Sequence, residues 1–324
     1  MKHKPILLIT GEPNSIFLEI FFKSIKKLKV KSPLILIASN KLVRMQMDKL
    51  KIKKNIKLLK KKDLENCKLD NKSINLININ YKSSKPFQKI SSKSNMYISN
   101  CFKEAFEIIK KNKIKKFING PINKKTFLKK KYLGITEFIS KNFSINNQAM
   151  LIYNKELSVC PITTHLPLKL VSKNINKKNI INKIELITKF YKLKLKLKPK
   201  IAVLGLNPHC ESISNFSEDD RIIKPAINFL KNKKKYSVYG PYSADTFFLK
   251  QNRKKYDVVV GMYHDQVLTP LKTLFEYDAI NITLGLPFLR VSPDHGPNEK
   301  MVGKNISNPL SLKKAILFLD KYID

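Results

Sequence analysis

The chain has 324 residues, of which 43% are hydrophobic, and this is enough to bury a large core in one α/β unit or in two lobes. Its formal net charge of +40 would normally suggest a nucleic-acid or anionic-membrane partner. The lysines, however, are spread from end to end, Trp is absent and only 9 glycines remain, which is the pattern of a base-biased genome. Because no basic stripe studded with aromatic residues and no recognised module occurs, we expect no nucleic-acid partner.

The chain also lacks the sequence features of a membrane or secreted protein. Its first apolar run covers only Ile6 to Ile9 and has no small-residue cleavage site after it, so we interpret it as a buried strand. No other apolar run approaches the roughly 20 residues of a membrane span. The cysteines are scattered and form no C-x-x-C pair; they are Cys67, Cys101, Cys160 and Cys210. We therefore expect a soluble cytoplasmic protein with no membrane partner.

Apolar runs of strand type alternate with helical patterns, which is typical of a mainly parallel sheet flanked by helices. The predicted strands, in chain order, are Pro5 to Thr10, Pro33 to Ala38, Ile74 to Ile79, Lys116 to Asn119, Ala149 to Tyr153, Lys200 to Leu206, Asp257 to Met262 and Ala279 to Leu284. The predicted helices are Ile16 to Leu28, Met96 to Lys111, Asn179 to Leu193, Asp220 to Lys231, Asp245 to Lys250 and the tail Ser311 to Tyr322.

The domain organisation is predicted from what the chain does not contain. No internal repeat is present, and no Pro/Gly/Ser-rich linker marks a border. We expect one family-sized unit with two interlocked lobes, residues 1–140 with 307–324 and residues 141–306, and a ligand cleft between them. Ligands of open α/β sheets lie at the carboxyl ends of the strands, where this chain keeps most of its scarce glycines.

Three of the five histidines follow strand candidates closely. They are His165 in Thr-His-Leu-Pro, His209 in Asn-Pro-His and His264 in Tyr-His-Asp-Gln. Three imidazoles that converge on one sheet edge would suit Zn²⁺ or a similar divalent ion. A single such histidine more often only caps a strand end, but three in equivalent positions favour a metal. Cys210, which follows His209, is a candidate nucleophile, although a lone cysteine more often fills a small apolar site.

Candidate anion-binding residues lie downstream of His264. Lys272, Asn281 and Arg290 offer an ammonium group, an amide and a planar guanidinium, which together could bind a phosphate or carboxylate. Arginine is scarce here relative to lysine, so Arg290 carries more weight than any lysine. The sequence has no G-x-G-x-x-G, so a dinucleotide would have to bind without the usual Rossmann loop.

Longer motifs resemble those of the 4-hydroxythreonine-4-phosphate dehydrogenase family in order and spacing, over essentially the whole chain. The matching segments are Gly120 to Lys124, Thr164 to Leu168, Gly205 to His209, Pro241 to Thr246, Tyr263 to Gln266, Asn281 to Arg290 and Asp294 to Gly296.

This resemblance implies an α/β/α fold akin to isocitrate and isopropylmalate dehydrogenases, and a homodimer with active sites at the subunit interface. It implies that His165, His209 and His264 hold a divalent metal (Zn, Mg or Co), and that NAD or NADP accepts the hydride. The residues that match substrate-binding positions are Thr136, Lys272, Asn281 and Arg290. Asp245 and Asp265 match acidic positions near the site. Lys272 is either the proton acceptor or a purely phosphate-binding residue.

The sequence departs from the family pattern in three places. The family's Gly-His-Thr-Glu reads Gly134-Ile135-Thr136-Glu137, so Ile135 replaces a polar substrate contact. The N-terminal loop after Gly11-Glu12-Pro13 loses two glycines, and the residues after His209 differ.

Three functions remain open at this point. The first is oxidation of 4-phosphohydroxy-L-threonine to a 3-oxo acid that decarboxylates to 3-amino-2-oxopropyl phosphate, in pyridoxal phosphate synthesis. The second is oxidation of another phosphorylated hydroxy acid, such as 4-phosphoerythronate, which Ile135 favours. The third is a non-catalytic basic binding protein, which the intact histidine set argues against.

Overall fold

The computed structural model of the chain describes residues 3–61, 64, 69–111, 114–128, 131–132, 134–212 and 216–321. Cys67 and Tyr322, which were named above, lie outside these residues. The chain divides into two compact units. The first unit comprises Met1–Ile135 and Pro287–Asp324, and the second comprises Thr136–Leu286.

The fold alternates strands and helices, as the apolar pattern predicts. The strands are β1 (Ile6–Ile9), β2 (Leu34–Ala38), β3 (Ile56–Leu58), β4 (Ile74–Asn78), β5 (Lys116–Asn119), β6 (Ala149–Tyr153), β7 (Ser158–Pro161), β8 (Lys200–Leu204), β9 (Ser237–Tyr242), β10 (Val258–Gly261), β11 (Ile280–Leu284) and β12 (Leu289–Pro293). The α-helices are α1 (Phe17–Lys27), α2 (Asn40–Lys49), α3 (Asn95–Lys111), α4 (Ile135–Asn142), α5 (Val171–Asn174), α6 (Lys177–Phe190), α7 (Lys224–Asn232), α8 (Ala244–Phe247), α9 (Lys250–Arg253), α10 (His264–Phe275) and α11 (Leu310–Asp320).

The first unit contains a parallel run of strands in the order β3-β4-β2-β1-β5-β12. Its central strands are buried along their whole length, which fits their continuous apolar sequences. Phe102 and Phe106 of α3 contact Phe117 of β5 with ring centroids 6.4 and 6.3 Å apart, so aromatic packing holds this helix on the sheet.

In the second unit the strand order is β11-β6-β7-β10-β8-β9. Strand β6 runs antiparallel to β11 and β7, whereas β7, β10, β8 and β9 are parallel to one another. Helix α10 packs against β7 and β10 through Val267, Leu268 and Leu271, which are buried in the same cluster as Val159 and Val259. The predicted mainly parallel sheet flanked by helices is thus confirmed.

The eight strands predicted from apolar runs are all present, but other elements were missed. Strands β3, β7, β9 and β12 were not predicted because they are short or interrupted by Cys, Gly, Pro or Arg. Helices α2, α4, α5 and α10 were missed as well, and α10 carries Pro270 in its interior. The single helix predicted from Asp245 to Lys250 is wrong, because extended backbone at Leu249 separates α8 from α9. In the described part of the chain, no helix is both long enough and apolar enough to cross a membrane.

Gly120, directly after β5, is a position where the fold tolerates no side chain. A Cβ atom there would lie 2.0 Å from the carbonyl oxygen of Thr10 and 2.8 Å from the Phe17 ring. We predict that Gly120→Ala lowers the free energy of unfolding by about 1–3 kcal/mol, the usual cost of overpacking. Gly296→Ala is the matched control, since nothing lies within 4 Å of its added Cβ. Urea unfolding of both variants measures the difference, and equal midpoints would contradict the steric argument.

Candidate active site

The three predicted metal ligands follow three adjacent parallel strands of the second unit. His165 follows β7, His264 follows β10 and His209 follows β8, and these strands are neighbours in the order β7-β10-β8. Because parallel strands end at the same edge of a sheet, their sequence positions place all three histidines on that edge.

His165 and His264 lie side by side, with ring centroids 5.7 Å apart and a 38° angle between the ring planes. The backbone brings them together beyond the strands themselves. The amide of Ile162 donates to the carbonyl of Gly261, and both the amide and the hydroxyl of Thr163 donate to the carbonyl of Met262. The two segments that carry the histidines therefore run together for two residues past the sheet.

His264 is the first residue of α10, and its Nδ1 lies 2.6 Å from Oδ1 of Asp265. A carboxylate on one ring nitrogen fixes the tautomer and leaves Nε2 as the nitrogen that can bind a metal. The contact with Asp265 restrains the His264 ring, and the predicted role of Asp265 in catalysis stays a prediction.

His209 lies in a different setting. It and Cys210 both adopt left-handed backbone conformations, with φ of 54° and 61°, which non-glycine residues rarely adopt. The His209 ring is exposed, and its Nδ1 lies 3.4 Å from the hydroxyl of Ser243. Strained backbone that presents an exposed imidazole is typical of functional loops.

Among the residues that the structure describes, no three His, Cys, Asp or Glu side chains form a group that could hold a metal ion. One chain pairs His165 with His264 but does not add His209 to them. The three-histidine metal site therefore stays a prediction.

Asp219 holds the loop between β8 and His209. This fully buried carboxylate accepts hydrogen bonds from the amide of Leu206 at 2.8 Å, the amide of Asn207 at 3.1 Å and the Asn207 side chain at 2.9 Å. A Cβ at Gly205 would lie 2.6 Å from the same carboxylate, so only glycine fits there. The backbone entering His209 is thereby fixed in position.

Gln266 connects this loop to the segment that carries His264. Its Oε1 accepts from the amide of Met262 at 2.7 Å, and its Nε2 donates to the carbonyl of Gly205 at 2.8 Å. The two ends of this side-chain amide thus join the segment after β10 to the segment after β8.

Cys210 is a poor candidate for a nucleophile. Burial raises the pKa of its thiol, and the negative charge of Asp219 acts in the same direction. Since the thiolate is the reactive form, these surroundings disfavour the chemistry. The thiol instead fills space over Gly205, whose added Cβ would lie 2.6 Å from Sγ.

The remaining predicted catalytic residues, Asp245 and Lys272, lie on α8 and α10. Asp245 is exposed in the first turn of α8, two residues after Ser243, which contacts His209. Lys272 is half-buried on α10, two turns after His264, which corresponds to about 12 Å along a helix axis. A lysine side chain at that separation suits contact with a different part of a substrate from the part the histidines bind.

Two predicted substrate residues, Thr136 and Asn281, are related to strand β11 in different ways. Thr136 of α4 is buried, and its hydroxyl lies 3.5 Å from that of Thr283. Asn281 is two residues before Thr283 and therefore points to the same face of the strand. Its Oδ1 is buried and has no hydrogen-bond partner among the described residues. A buried carbonyl of this kind is costly unless a ligand or water satisfies it.

Arg290 belongs to the first unit, on β12. The whole residue is buried, and its Nε donates to Oδ1 of Asn119 on β5 at 2.7 Å. A buried guanidinium is expensive in a protein interior, so its presence points to an anion-binding function more strongly than any exposed lysine does.

Sequence reasoning missed Asp219, Gln266, Asn119 and Thr283. Gln266 ends a matched motif, and Asn119 immediately precedes another, so motif position was a usable signal for both. For Asp219 the signal was composition: the chain has 24 Asp and Glu against 64 Lys and Arg, so each acidic residue is informative.

We predict that Asp219→Ala destabilises the loop before His209, because it leaves the amides of Leu206 and Asn207 without their acceptor. Loss of hydrogen bonds to a buried charged group should cost about 3 kcal/mol. Urea unfolding measures this cost, and hydrogen exchange should show faster exchange at these two amides. Asp220→Ala is the control, because that neighbouring carboxylate is exposed and pairs with Lys224. Unchanged protection in Asp219→Ala would contradict the assignment.

Comparison with known proteins agrees with the motifs. The family model described as pyridoxal phosphate biosynthetic protein PdxA matches residues 29–319. The chain is 36% identical to the 4-hydroxythreonine-4-phosphate dehydrogenase of Sulfurihydrogenibium sp. (strain YO3AOP1), with 96% of each chain covered. It is 33% identical to the enzyme of the same name from Aquifex aeolicus, with 99% of each covered. A D-threonate 4-phosphate dehydrogenase from Pectobacterium atrosepticum is 34% identical over 67% of each chain.

Solved structures of known enzymes are also similar to this chain. The 4-hydroxythreonine-4-phosphate dehydrogenase of Klebsiella pneumoniae superposes with a TM-score of 0.81 at 27% identity, covering 98% of both chains. Isocitrate dehydrogenase from Methylococcus capsulatus shares the fold alone, with a TM-score of 0.51 at 10% identity over 97% of this chain and 83% of that one. The expected relation to the isocitrate dehydrogenase fold is confirmed, and the chain belongs to the PdxA family of pyridoxal phosphate biosynthetic proteins.

Proposed function

We propose that this protein is a 4-hydroxythreonine-4-phosphate dehydrogenase. It oxidises the C3 hydroxyl of 4-phosphohydroxy-L-threonine: the hydroxyl proton goes to a base, and the hydrogen on C3 leaves as hydride to NAD⁺ or NADP⁺. The resulting 3-oxo acid loses CO₂ to give 3-amino-2-oxopropyl phosphate. The observation that carries the proposal is the pairing of His165 and His264 at the carboxyl ends of adjacent strands, in a chain that matches named dehydrogenases along nearly its whole length.

The protein acts as a homodimer with a shared site in this proposal. His165 and His264 of one protomer hold a divalent metal together with His209 of the partner subunit. Two observations support this division: no group of three ligands forms among the described residues of one chain, and His209 is exposed. Leu168, beside His165, is 71% exposed, and an apolar side chain in that position suits a subunit contact.

When bound, a divalent ion (Zn, Mg or Co) would polarise the substrate hydroxyl and lower its pKa. The chain's own residues supply the rest. Asp265 keeps the His264 ring in its metal-binding tautomer, and Asp245 lies next to the Ser243–His209 contact. Lys272 is either the base that accepts the hydroxyl proton or a ligand of the phosphate, and its separation from His264 along α10 supports the phosphate role.

The phosphate is bound by Arg290, with Lys272 and Asn281 contributing. Arg290 offers a planar fork of donors that matches phosphate geometry. Thr136 of α4 and Asn281 of β11 provide neutral polar atoms. The buried Oδ1 of Asn281 is an acceptor for which a substrate N–H or O–H is a suitable partner. We place the reaction in the cytoplasm. That compartment is reducing, which fits a sequence with no C-x-x-C motif and no dense cysteine framework.

A second substrate has support of its own. Relatives named D-threonate 4-phosphate dehydrogenase match at 34 to 35% identity, and such substrates carry a hydroxyl where 4-phosphohydroxy-L-threonine carries an amine. Ile135 occupies the position of the family's histidine, and its side chain can form a hydrogen bond with neither the hydroxyl nor the amine. This leaves oxidation of a phosphorylated sugar acid as the alternative.

The substrate assay separates these functions. Purified protein with a divalent metal and NAD⁺ or NADP⁺ is offered 4-phosphohydroxy-L-threonine, D-threonate 4-phosphate and 4-phosphoerythronate in parallel. We expect the highest kcat/KM with 4-phosphohydroxy-L-threonine, and Ile135→His should lower KM for that substrate by restoring a polar contact. Improvement only with a sugar-acid phosphate would support the alternative, and no turnover with any of the three would indicate a non-catalytic binding protein.

Mixing inactive variants tests the shared site. His209→Ala and His264→Ala protomers, unfolded together and refolded, should form heterodimers that keep one complete histidine set, and so regain up to about a quarter of the activity. The same experiment with His165→Ala and His264→Ala should restore no activity. In this proposal one protomer supplies both of these histidines to a site, so every site in the mixture lacks one of them. Equal recovery in both mixtures, or an active monomer by sedimentation, would disprove this division of ligands.

A further inference from the structure

The hydrogen bond between Asn119 and Arg290 is the feature that carries an inference beyond the proposed reaction. Arg290 of β12 pairs in register with Phe117 of β5, so Asn119 lies two residues further along the neighbouring strand, on the same face as Phe117. Its Oδ1 accepts the Nε–H of Arg290 at 2.7 Å, and the two residues are 2% and 0% exposed. This contact joins residues 171 positions apart in the chain.

The orientation of the Asn119 amide is fixed by its other end. Its Nδ2 donates to the carbonyl of Gly120 at 2.9 Å, so Oδ1 is the atom that faces the guanidinium. A flipped amide would place N–H donors against the N–H donors of Arg290, and would lose both hydrogen bonds.

The turn that carries this carbonyl is itself rigid. The amide of Gly120 donates to the carbonyl of Ile9, and the amide of Glu12 donates to the carbonyl of Pro121, both at 2.8 Å. A side chain at Gly120 would collide with the carbonyl of Thr10. The position of the Asn119 amide is thus fixed by the backbone of β1 and β5, and through its hydrogen bond Asn119 restrains the Arg290 guanidinium.

The acceptor at Nε is a neutral amide, so this hydrogen bond constrains the guanidinium plane and places no negative charge beside Nε. Guanidinium groups recognise phosphate through pairs of N–H groups in one plane, which makes the orientation of that plane a determinant of affinity. A carboxylate in the same place would form a charge pair with Arg290 and repel an incoming phosphate.

We propose that Asn119 is a positioning residue for phosphate recognition: it constrains the plane of the Arg290 guanidinium, and as a neutral amide it adds no negative charge where the phosphate monoester binds. The inference rests on the proposed phosphate-binding role of Arg290. It assigns to the segment before Gly120 a function in substrate binding, in addition to its place in the sheet.

Asn119→Asp is the decisive variant, since it keeps the shape of the side chain and changes only its charge and donor. We expect KM for the phosphorylated substrate to rise roughly tenfold, the equivalent of one charge-assisted hydrogen bond, while kcat changes less than about twofold. Asn119→Ala, which removes the acceptor without adding charge, should raise KM by a smaller factor. A merely structural role predicts the reverse order, because alanine leaves a cavity and aspartate does not.

Asn75→Asp is the matched control for a new carboxylate in the interior of the same unit. Asn75 is also buried, and its Nδ2 donates to the carbonyls of Leu34 and Asp70. It should lose thermal stability at least as much as Asn119→Asp, while its KM stays at the parent value. A rise in KM for both aspartate variants would overturn the proposal, because it would show a general effect of the added charge.

A readout without turnover separates this inference from the function on which it rests. Inorganic phosphate is titrated against the full chain, and we expect it to raise the thermal midpoint. The part of that rise lost in Arg290→Gln measures binding at Arg290. We expect Asn119→Asp to lose the same part and Asn75→Asp to keep it. If Arg290→Gln retains the whole rise, the phosphate role of Arg290 is wrong; if only Arg290→Gln loses it, the role of Asn119 is wrong.

Discussion

The backbone hydrogen bonds that continue past the ends of β7 and β10 are the constraint on which the candidate site depends. They join Ile162 to Gly261 and Thr163 to Met262, and so carry the pairing of two strands into the segments that hold His165 and His264. Gly261 has to be glycine, because an added Cβ would lie 2.4 Å from the Val267 side chain of α10. The sheet and the packing of α10 therefore contribute directly to the distance between the two imidazoles.

A second constraint is the placement of negative charge in a chain with few acidic residues. The lysines are distributed along the whole sequence, but two of the few carboxylates are buried where they organise backbone. Asp219 accepts hydrogen bonds from two backbone amides before His209. Glu19 of α1 accepts hydrogen bonds from the amide of Ser307 at 2.7 Å and from Lys23 at 2.9 Å. Replacement of surface residues by lysine is tolerated, because solvent screens exposed charges. A buried carboxylate that accepts hydrogen bonds from several N–H groups cannot be replaced in this way, since its loss leaves those donors unsatisfied.

The sequence predicted those parts of the fold and site that are encoded locally. Continuous apolar runs such as Leu34 to Ala38 can be recognised by themselves, and so can motifs that place a histidine after a strand. Strand β7 was missed because Cys160 and Pro161 end a run of only four residues, although its pairing with β10 positions His165. Asn119 and Arg290 could not be paired from one sequence, because a contact across 171 positions depends on strand order, which single-sequence patterns do not contain.

Substrate choice within the family depends on a smaller difference than phosphate recognition does. In the proposed function, binding of the phosphate by Arg290 serves 4-phosphohydroxy-L-threonine and D-threonate 4-phosphate equally, because both carry the same phosphate monoester. Discrimination has to act where one bears an amine and the other a hydroxyl. Ile135 supplies neither donor nor acceptor there, and the hydroxyl of Thr136, which can donate or accept, suits both groups. Since one substituent in an apolar setting changes kcat/KM by only about 10- to 200-fold, the loss of a polar contact at residue 135 reduces selectivity without excluding either substrate. In that proposal the phosphate-binding residues define the class of substrate, and the residues around the start of α4 determine how strongly one member of that class is preferred.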